Sequence, residues 1–227
     1  MLITTPRLGM RELTEADLPA LRSILQDAET MTAYEGPFDE GQVRAWLERM
    51  EQRYREDGFG LWAVVRKSDG KTIGQCGITW QEIDGHRVHE VGYLFNREYW
   101  HSGYATEAAR AAVEYAIAEL GATRVYAQVR DTNIASMNVA IRLGMTVRTR
   151  FIKHYRGIDM PHLAFAIDAP TSNGPPARGH LPPGLDRENP PKRARKPATP
   201  HRTYAHRPLS LAPSMPGDAT EPLGASG

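Results

Sequence analysis

An apolar run, Val91-Gly92-Tyr93-Leu94-Phe95, is followed after a short turn by Trp100-His101-Ser102-Gly103-Tyr104-Ala105-Thr106-Glu107-Ala108-Ala109. The first stretch reads as a strand. The second reads as a glycine-bearing loop that opens directly onto an alanine-rich helix. Backbone N–H groups converge at such a helix start and carry partial positive charge, so the loop suits a phosphate or pyrophosphate. A glycine at 103 equally serves a tight strand-to-helix turn with no ligand. Taken alone, the stretch leaves both readings open.

The elements that would position this loop follow from periodicity. Arg7–Leu13 reads as a first strand. Thr14-Glu15-Ala16-Asp17 resembles a capping box, after which Leu18, Leu21, Ile24 and Leu25 recur at helical spacing. Asp39-Glu40-Gly41-Gln42 starts a second helix through Val43, Trp46, Leu47 and Met50 to about Glu56, which Gly58 and Gly60 end. Leu61–Val65 and Thr72–Trp80 form a hairpin across Ser68-Asp69-Gly70-Lys71. Asp84-Gly85 turns the chain into a strand over Val88–Phe95. Thr106–Leu120 is a helix closed by Gly121, Arg124–Val129 a strand, and Ile134–Leu143 a helix ending at Gly144. Thr146–Tyr155 and Leu163–Ile167 are the last strands. The expected class is α+β: a mostly antiparallel seven-stranded sheet, four helices and one parallel crossover.

Composition divides the chain near Asp168. Thirteen of its 17 prolines lie at or after Pro170. Residues 169–227 hold eight Lys/Arg against four Asp/Glu, a net +4, which leaves −3 for residues 1–168 of a chain whose total is +1. Residues 1–168 are expected to be one globular domain and 169–227 a disordered, proline-rich basic tail. The single cysteine, Cys76, excludes an internal disulfide and reads as a small core residue. No apolar run nears the ~20 residues needed to span a bilayer, and the first residues lack the pattern of a secretory signal. A soluble, cytoplasmic protein is the default expectation, as monomer or homodimer, with no membrane partner.

Four stretches then carry a resemblance. Thr5-Pro6-Arg7-Leu8 with Arg11 and Asp17-Leu18 is one. Glu90-Val91-Gly92-Tyr93 with Tyr99-Trp100 is the second, and Gly103-Tyr104-Ala105-Thr106-Glu107-Ala108 the third. Asn133, Ser136 and Leu143-Gly144-Met145 make the fourth. In content and spacing they resemble the GNAT superfamily of acyl-CoA-dependent N-acetyltransferases, and within it the RimJ/RimL-like branch that acetylates ribosomal-protein N-termini. The resemblance covers nearly all of 1–168. It implies acetyl-CoA as co-substrate and a V-shaped splay between the fourth and fifth strands.

In that reading, His101, Ser102, Gly103, Tyr104, Ala105 and Thr106 would present N–H groups to the pyrophosphate. Tyr93, Leu94 and Phe95 would pair with the amide arm of pantetheine as an added strand does, and Asn133 would cap its helix, contact pantetheine, or do both. A backbone N–H near Phe95 would stabilise the oxyanion by ~3–4 kcal/mol. The family often has glycine where this chain has His101, which leaves a phosphate contact and a solvent-facing loop residue both open.

An amine must lose a proton before it attacks, and a carboxylate can take it. Glu90 is favoured as base or as the group that orients the ammonium, with Glu82 and Glu35 as rivals and a surface ion pair as the plain alternative. Many family members place a tyrosine acid seven residues after the asparagine, but that position here is Ala140. Ser136 is the replacement candidate, with simple helix capping as its alternative. Tyr34, Glu35, Trp80, His154 and Tyr155 would border the acceptor, with Phe38 and His162 nearby. Packing between a hairpin and the early helices is the other reading of Trp80 and Phe38. No metal is expected.

The expected activity is direct acetyl transfer to a primary amine, a peptide N-terminus or a small amine such as an aminoglycoside. No acyl-enzyme is expected. A non-catalytic acyl-CoA sensor of the same fold is the second class, motivated by Ala140. The basic run Pro191–Pro197 hints at nucleic acid only through charge.

Overall fold

The computed structural model describes residues 1–34, 36–83, 85–155 and 157–170, with the backbone alone at Tyr155. The basic run of the tail lies outside them. Eight strands form one sheet: β1 (Ile3–Thr4), β2 (Leu8–Arg11), β3 (Leu61–Arg66), β4 (Thr72–Ile83), β5 (His86–Phe95), β6 (Arg124–Arg130), β7 (Thr146–Tyr155) and β8 (Ile158–Asp168). Their order is β1-β2-β3-β4-β5-β6-β8-β7. Every neighbouring pair is antiparallel except β5 with β6. The helices are α1 (Leu18–Leu25), α2 (Glu40–Glu56), α3 (Tyr104–Ala118) and α4 (Ile134–Arg142). Among the described residues, no helix is long and apolar enough to cross a membrane.

The expected seven strands become eight because Ile3–Thr4 pairs with Met10 and Gly9. Two residues are too short to show alternation. What joins them to β2 is the turn Thr5-Pro6-Arg7-Leu8, where the Thr5 N–H donates to the Leu8 carbonyl at 2.9 Å.

Core residues lie on both faces of the sheet. Along β3, Trp62 and Val64 join the cluster under α3 and α4, while Leu61 and Ala63 join the cluster under α1 and α2. Burial on both faces explains why Leu-Trp-Ala-Val-Val reads as an unbroken apolar run. Helix α3 presents Ala108, Ala109, Ala112 and Ala116, all fully buried, at the 3.6-residue period. Small side chains let it lie close on β4 and β5. Helix α2 starts as expected: Asp39 accepts the Gln42 N–H at 2.8 Å, and the Gln42 side chain accepts the Asp39 N–H at 2.9 Å.

Arg11 and Asp17, both in the resemblance, prove structural. The Arg11 guanidinium donates to both Asp17 carboxylate oxygens at 2.6 and 2.8 Å, and the Thr72 hydroxyl donates to the same carboxylate at 2.9 Å. Burial opposes ionisation of Asp17, yet these donors outweigh it and hold the carboxyl below its ordinary range. The pair ties β2 to the start of α1 and to β4.

Candidate active site

Strands β5 and β6 pair only at His89 with Val125 and Glu90 with Tyr126. Past Glu90, residues Val91–Phe95 keep their β4 partners, Ile78 through Gly74, while the β6 side carries no paired strand. The sheet therefore opens as a V with Glu90 at its vertex. A free strand edge offers alternating N–H and C=O groups to an extended, amide-bearing ligand. A cleft of about 1270 Å³ runs along this edge, bordered by Tyr93, Leu94 and Phe95, the loop to Glu107, and Asn133–Ser136 at the start of α4.

The outer end of the cleft is the loop singled out from the sequence. Gly103 caps α3 at φ 78°, a left-handed conformation. The first helical bond runs from the Glu107 N–H to the Gly103 carbonyl at 3.0 Å. The N–H groups of Tyr104, Ala105 and Thr106 are thus the open first turn. Asn133 caps α4, its Oδ1 accepting the Ser136 N–H at 3.0 Å, so two helix N-termini meet the same cleft. His101, Ser102 and Gly103 are exposed there.

His101 is the one described non-glycine residue with positive φ, at 58°. That conformation disfavours a β-carbon and is one that glycine adopts freely. Replacing His101 with Gly is expected to raise stability by about 1 kcal/mol, as thermal denaturation would show, with unchanged affinity for coenzyme A by calorimetry. A loss of affinity instead would identify the imidazole as a phosphate contact.

The loop is braced from the N-terminal turn. Glu107 accepts from the Thr5 hydroxyl at 2.6 Å, the Arg7 N–H at 2.9 Å and Arg7 Nε at 2.6 Å. Arg7 also donates to the Ser102 carbonyl at 2.9 Å and lies 4.4 Å above the Tyr104 ring. Burial disfavours the Glu107 carboxylate, but these donors outweigh it and hold its pKa below the ordinary range. The Thr-Pro-Arg-Leu start and Glu107, in the first turn of α3, are one structural unit, a link that the sequence resemblance grouped without explaining.

Glu90 borders both the vertex and an adjoining cavity of about 220 Å³. One carboxylate oxygen accepts the Gln128 N–H at 3.2 Å. Burial pushes the carboxyl above its ordinary value, against the pull of Lys153, the Gln128 N–H and Arg53. Such a carboxyl holds its proton more readily than an exposed glutamate does. Also lining this cavity, but three residues on and so on the alternate face of β5, the Tyr93 hydroxyl donates to the Ser136 carbonyl at 2.9 Å, and burial pushes that phenol up. The Ser136 hydroxyl makes no hydrogen bond among the described residues and borders both cavities. Ala140 is fully buried. The phenol that reaches α4 comes instead from β5. Tyr93 was expected only for its backbone, and its hydroxyl was missed because the link is across space.

The remaining expected residues separate. Tyr34 lines the cavity with Phe38 and Trp46, the three rings meeting edge to face at 5.9–6.4 Å. Trp80 does not. It stacks on His89 at 3.9 Å on the opposite face of the sheet, against Phe59 and under Arg87, while its neighbours Thr79 and Gln81 face the cavity. Side chains alternate along a strand, so Trp80 cannot share the face of Glu90. His154 reaches the rim but is mostly exposed and hydrogen-bonds to Asp159. Glu82 is exposed at the far end of β4. Glu35 and the Tyr155 side chain lie outside the described residues. Phe95 gives less edge than expected, since its carbonyl accepts the Trp100 indole N–H at 2.9 Å. Cys76 is fully buried, and burial pushes its thiol up, away from nucleophilic use.

A model of the acetyltransferase (GNAT) domain matches residues 7–146. YkkB, an uncharacterized protein of Bacillus subtilis, is 36% identical over 144 residues, 63% of this chain and 84% of that protein. The uncharacterized N-acetyltransferase YnaD of the same organism is 32% identical over 146 residues, 64% of this chain and 82% of that one. Among solved structures, an acetyltransferase from Agrobacterium tumefaciens superposes with a TM-score of 0.63 at 26% identity, covering 74% of this chain and 94% of that one.

Proposed function

Since the chain belongs to the GNAT acetyltransferase family, we propose that it transfers the acetyl group of acetyl-CoA directly to a primary amine, in a ternary complex at the vertex of the V. The observation that carries this is the end of β5–β6 pairing at Glu90, which puts a half-buried carboxylate where the free edge of Val91–Phe95 begins.

The geometry supports the following roles. The loop from His101 to Thr106 receives the pyrophosphate on backbone N–H groups, and the β5 edge pairs with the pantetheine amides. Two proteins of the same fold were solved with coenzyme A bound: a RimL ribosomal L7/L12 acetyltransferase, and a spermidine N-acetyltransferase from Vibrio cholerae that also holds spermine. Those ligands support coenzyme A as the co-substrate. Glu90 takes the proton that leaves the attacking nitrogen as the N–C bond forms. When the C–S bond breaks, the thiolate takes a hydrogen bond or proton from the hydroxyl of Tyr93 or Ser136. Transfer is direct, with no acyl-enzyme: the one cysteine, Cys76, is fully buried. The acceptor is the amine of a peptide N-terminus or of a small molecule.

The direct test is thiol release from acetyl-CoA with an amine panel, paired with calorimetry. Amine-dependent release is expected, and coenzyme A should bind with one site per chain. Binding without release for any amine would support a sensor instead.

A further inference from the structure

The cavity beside Glu90 is basic. Among its described lining residues, Arg49, Arg53, Arg130 and Lys153 carry positive charge, and Glu90 is the one carboxylate. Arg49 and Arg130 are engaged in other interactions, so the weight falls on the other two. The side chains of Arg53, from α2, and Lys153, from β7, make no hydrogen bond or ion pair among the described residues. Both face Glu90 electrostatically without contacting it, and Arg53 also feels the charge of Asp57, which does not line the cavity. A half-buried guanidinium with no contacting carboxylate is unfavourable unless something else supplies the negative charge. Burial, followed by repulsion from Arg49, already loosens the hold of Arg53 on its proton.

A second observation points the same way. The side chain of Gln128 lines the cavity, and both its Oε1 and its Nε2 are buried with no hydrogen-bond partner. Buried amides are ordinarily satisfied. This one offers a donor and an acceptor into a space that already holds unpaired cations. His162, also buried there, donates from Nδ1 to the Met160 carbonyl at 2.8 Å. Burial lowers its pKa, which leaves a neutral ring with Nε2 as an acceptor.

We infer that the acceptor is a primary amine that also carries a carboxylate, received by Arg53 and Lys153 while Gln128 hydrogen-bonds the polar atoms between. The inference rests on the reading of this cavity as the acceptor site. The same cations lower the proton affinity of an incoming amine, which favours the neutral nucleophile. They also repel a polyamine. Two sources supply this chemistry: a free amino acid, and a peptide whose N-terminal residue is Asp or Glu.

The test measures kcat/KM on the full chain in two arms. One compares α-amino acids with the amines left when the carboxylate is removed. The other compares peptides beginning with Asp or Glu with their Asn or Gln counterparts. At least ten-fold preference for the carboxylate member is expected in one arm, which identifies the source, and spermine should be the poorest acceptor. Arg53→Gln and Lys153→Gln should each erase most of that preference through KM and leave the KM for acetyl-CoA unchanged. Equal rates in both arms, or a preference that survives both variants, would overturn the inference while leaving amine acetylation standing. If no amine is acetylated, the proposed transfer fails, and binding decides this point separately. Protein loaded with coenzyme A should bind an N-acetyl amino acid at least ten-fold more tightly than its carboxamide, and equal affinity would refute the inference.

Discussion

Glu90→Gln is expected to lower kcat by about 10²–10⁴-fold, the usual contribution of a positioned general base. The KM for acetyl-CoA should be nearly unchanged, since the pyrophosphate and pantetheine positions lie along the loop and the β5 edge. The pH dependence follows from the direction of the shift. Burial raises the Glu90 carboxyl above its ordinary 4.5, so wild-type kcat/KM should fall on an acid limb that lies above the range of an exposed glutamate. Gln removes that limb. Stability should move the other way. A carboxyl with a raised folded-state pKa favours the folded state below its unfolded pKa, and that advantage is lost as pH rises through the folded value. The variant should therefore match the wild type in acid and exceed its melting temperature increasingly toward neutral and alkaline pH. A carboxylate with only a structural role would lose stability when replaced; loss of activity with gain of stability separates the two.

Gly103→Val should weaken coenzyme A binding by the cost of forcing a β-branched residue toward φ 78°, about 1–3 kcal/mol, or roughly 5- to 150-fold in Kd. Space is not the reason. A β-carbon at 103 would meet Arg7 Nη2 at 3.5 Å, an ordinary contact. The strain comes from the backbone, and relieving it turns the N–H groups of the first α3 turn away from the cleft. Gly103→Asn, which tolerates the left-handed region, should lose much less. Equal losses in Asn and Val would point to a steric or side-chain effect, and no loss in Val would remove the loop from pyrophosphate binding. Calorimetry with coenzyme A reads all three outcomes.

The elements were legible where local chemistry and burial agree. The Asp69-Gly70 hairpin, the Asp39–Gln42 cap and the alanine stripe of α3 each carry their own signal. The misses have local causes. Helix α3 begins two residues before the expected Thr106 because Gly103 has no side chain to mark the cap. Strand β8 begins at Ile158, five residues before the expected Leu163, because Pro161 within it reads as a strand breaker. It is tolerated there and sits opposite Ile152.

The site divides along the same line. The loop and Glu90 lie close in the chain and could be read together. The acceptor cavity gathers Trp46, Arg53, Gln128 and Lys153 from three distant segments, and no spacing along the sequence joins them. A weak signal was present: Arg49 and Arg53 stand four apart beside the apolar stripe of Trp46 and Met50, not on the far side of α2 where a solvated charge belongs. The face of Trp80 is set by register: counting outward from the pair Ile83–His86 puts Glu90 opposite Thr79 and His89 opposite Trp80, so the indole faces away from Glu90.

If the V between β5 and β6 holds the thioester beside Glu90, a crystal structure with coenzyme A and an N-acetyl amino acid will show it. The pyrophosphate should lie on the N–H groups between His101 and Thr106, and the pantetheine along Val91–Phe95. The sulfur should lie between Glu90 and the hydroxyls of Tyr93 and Ser136. A nucleotide bound away from this cleft, or a sulfur remote from Glu90, would contradict it.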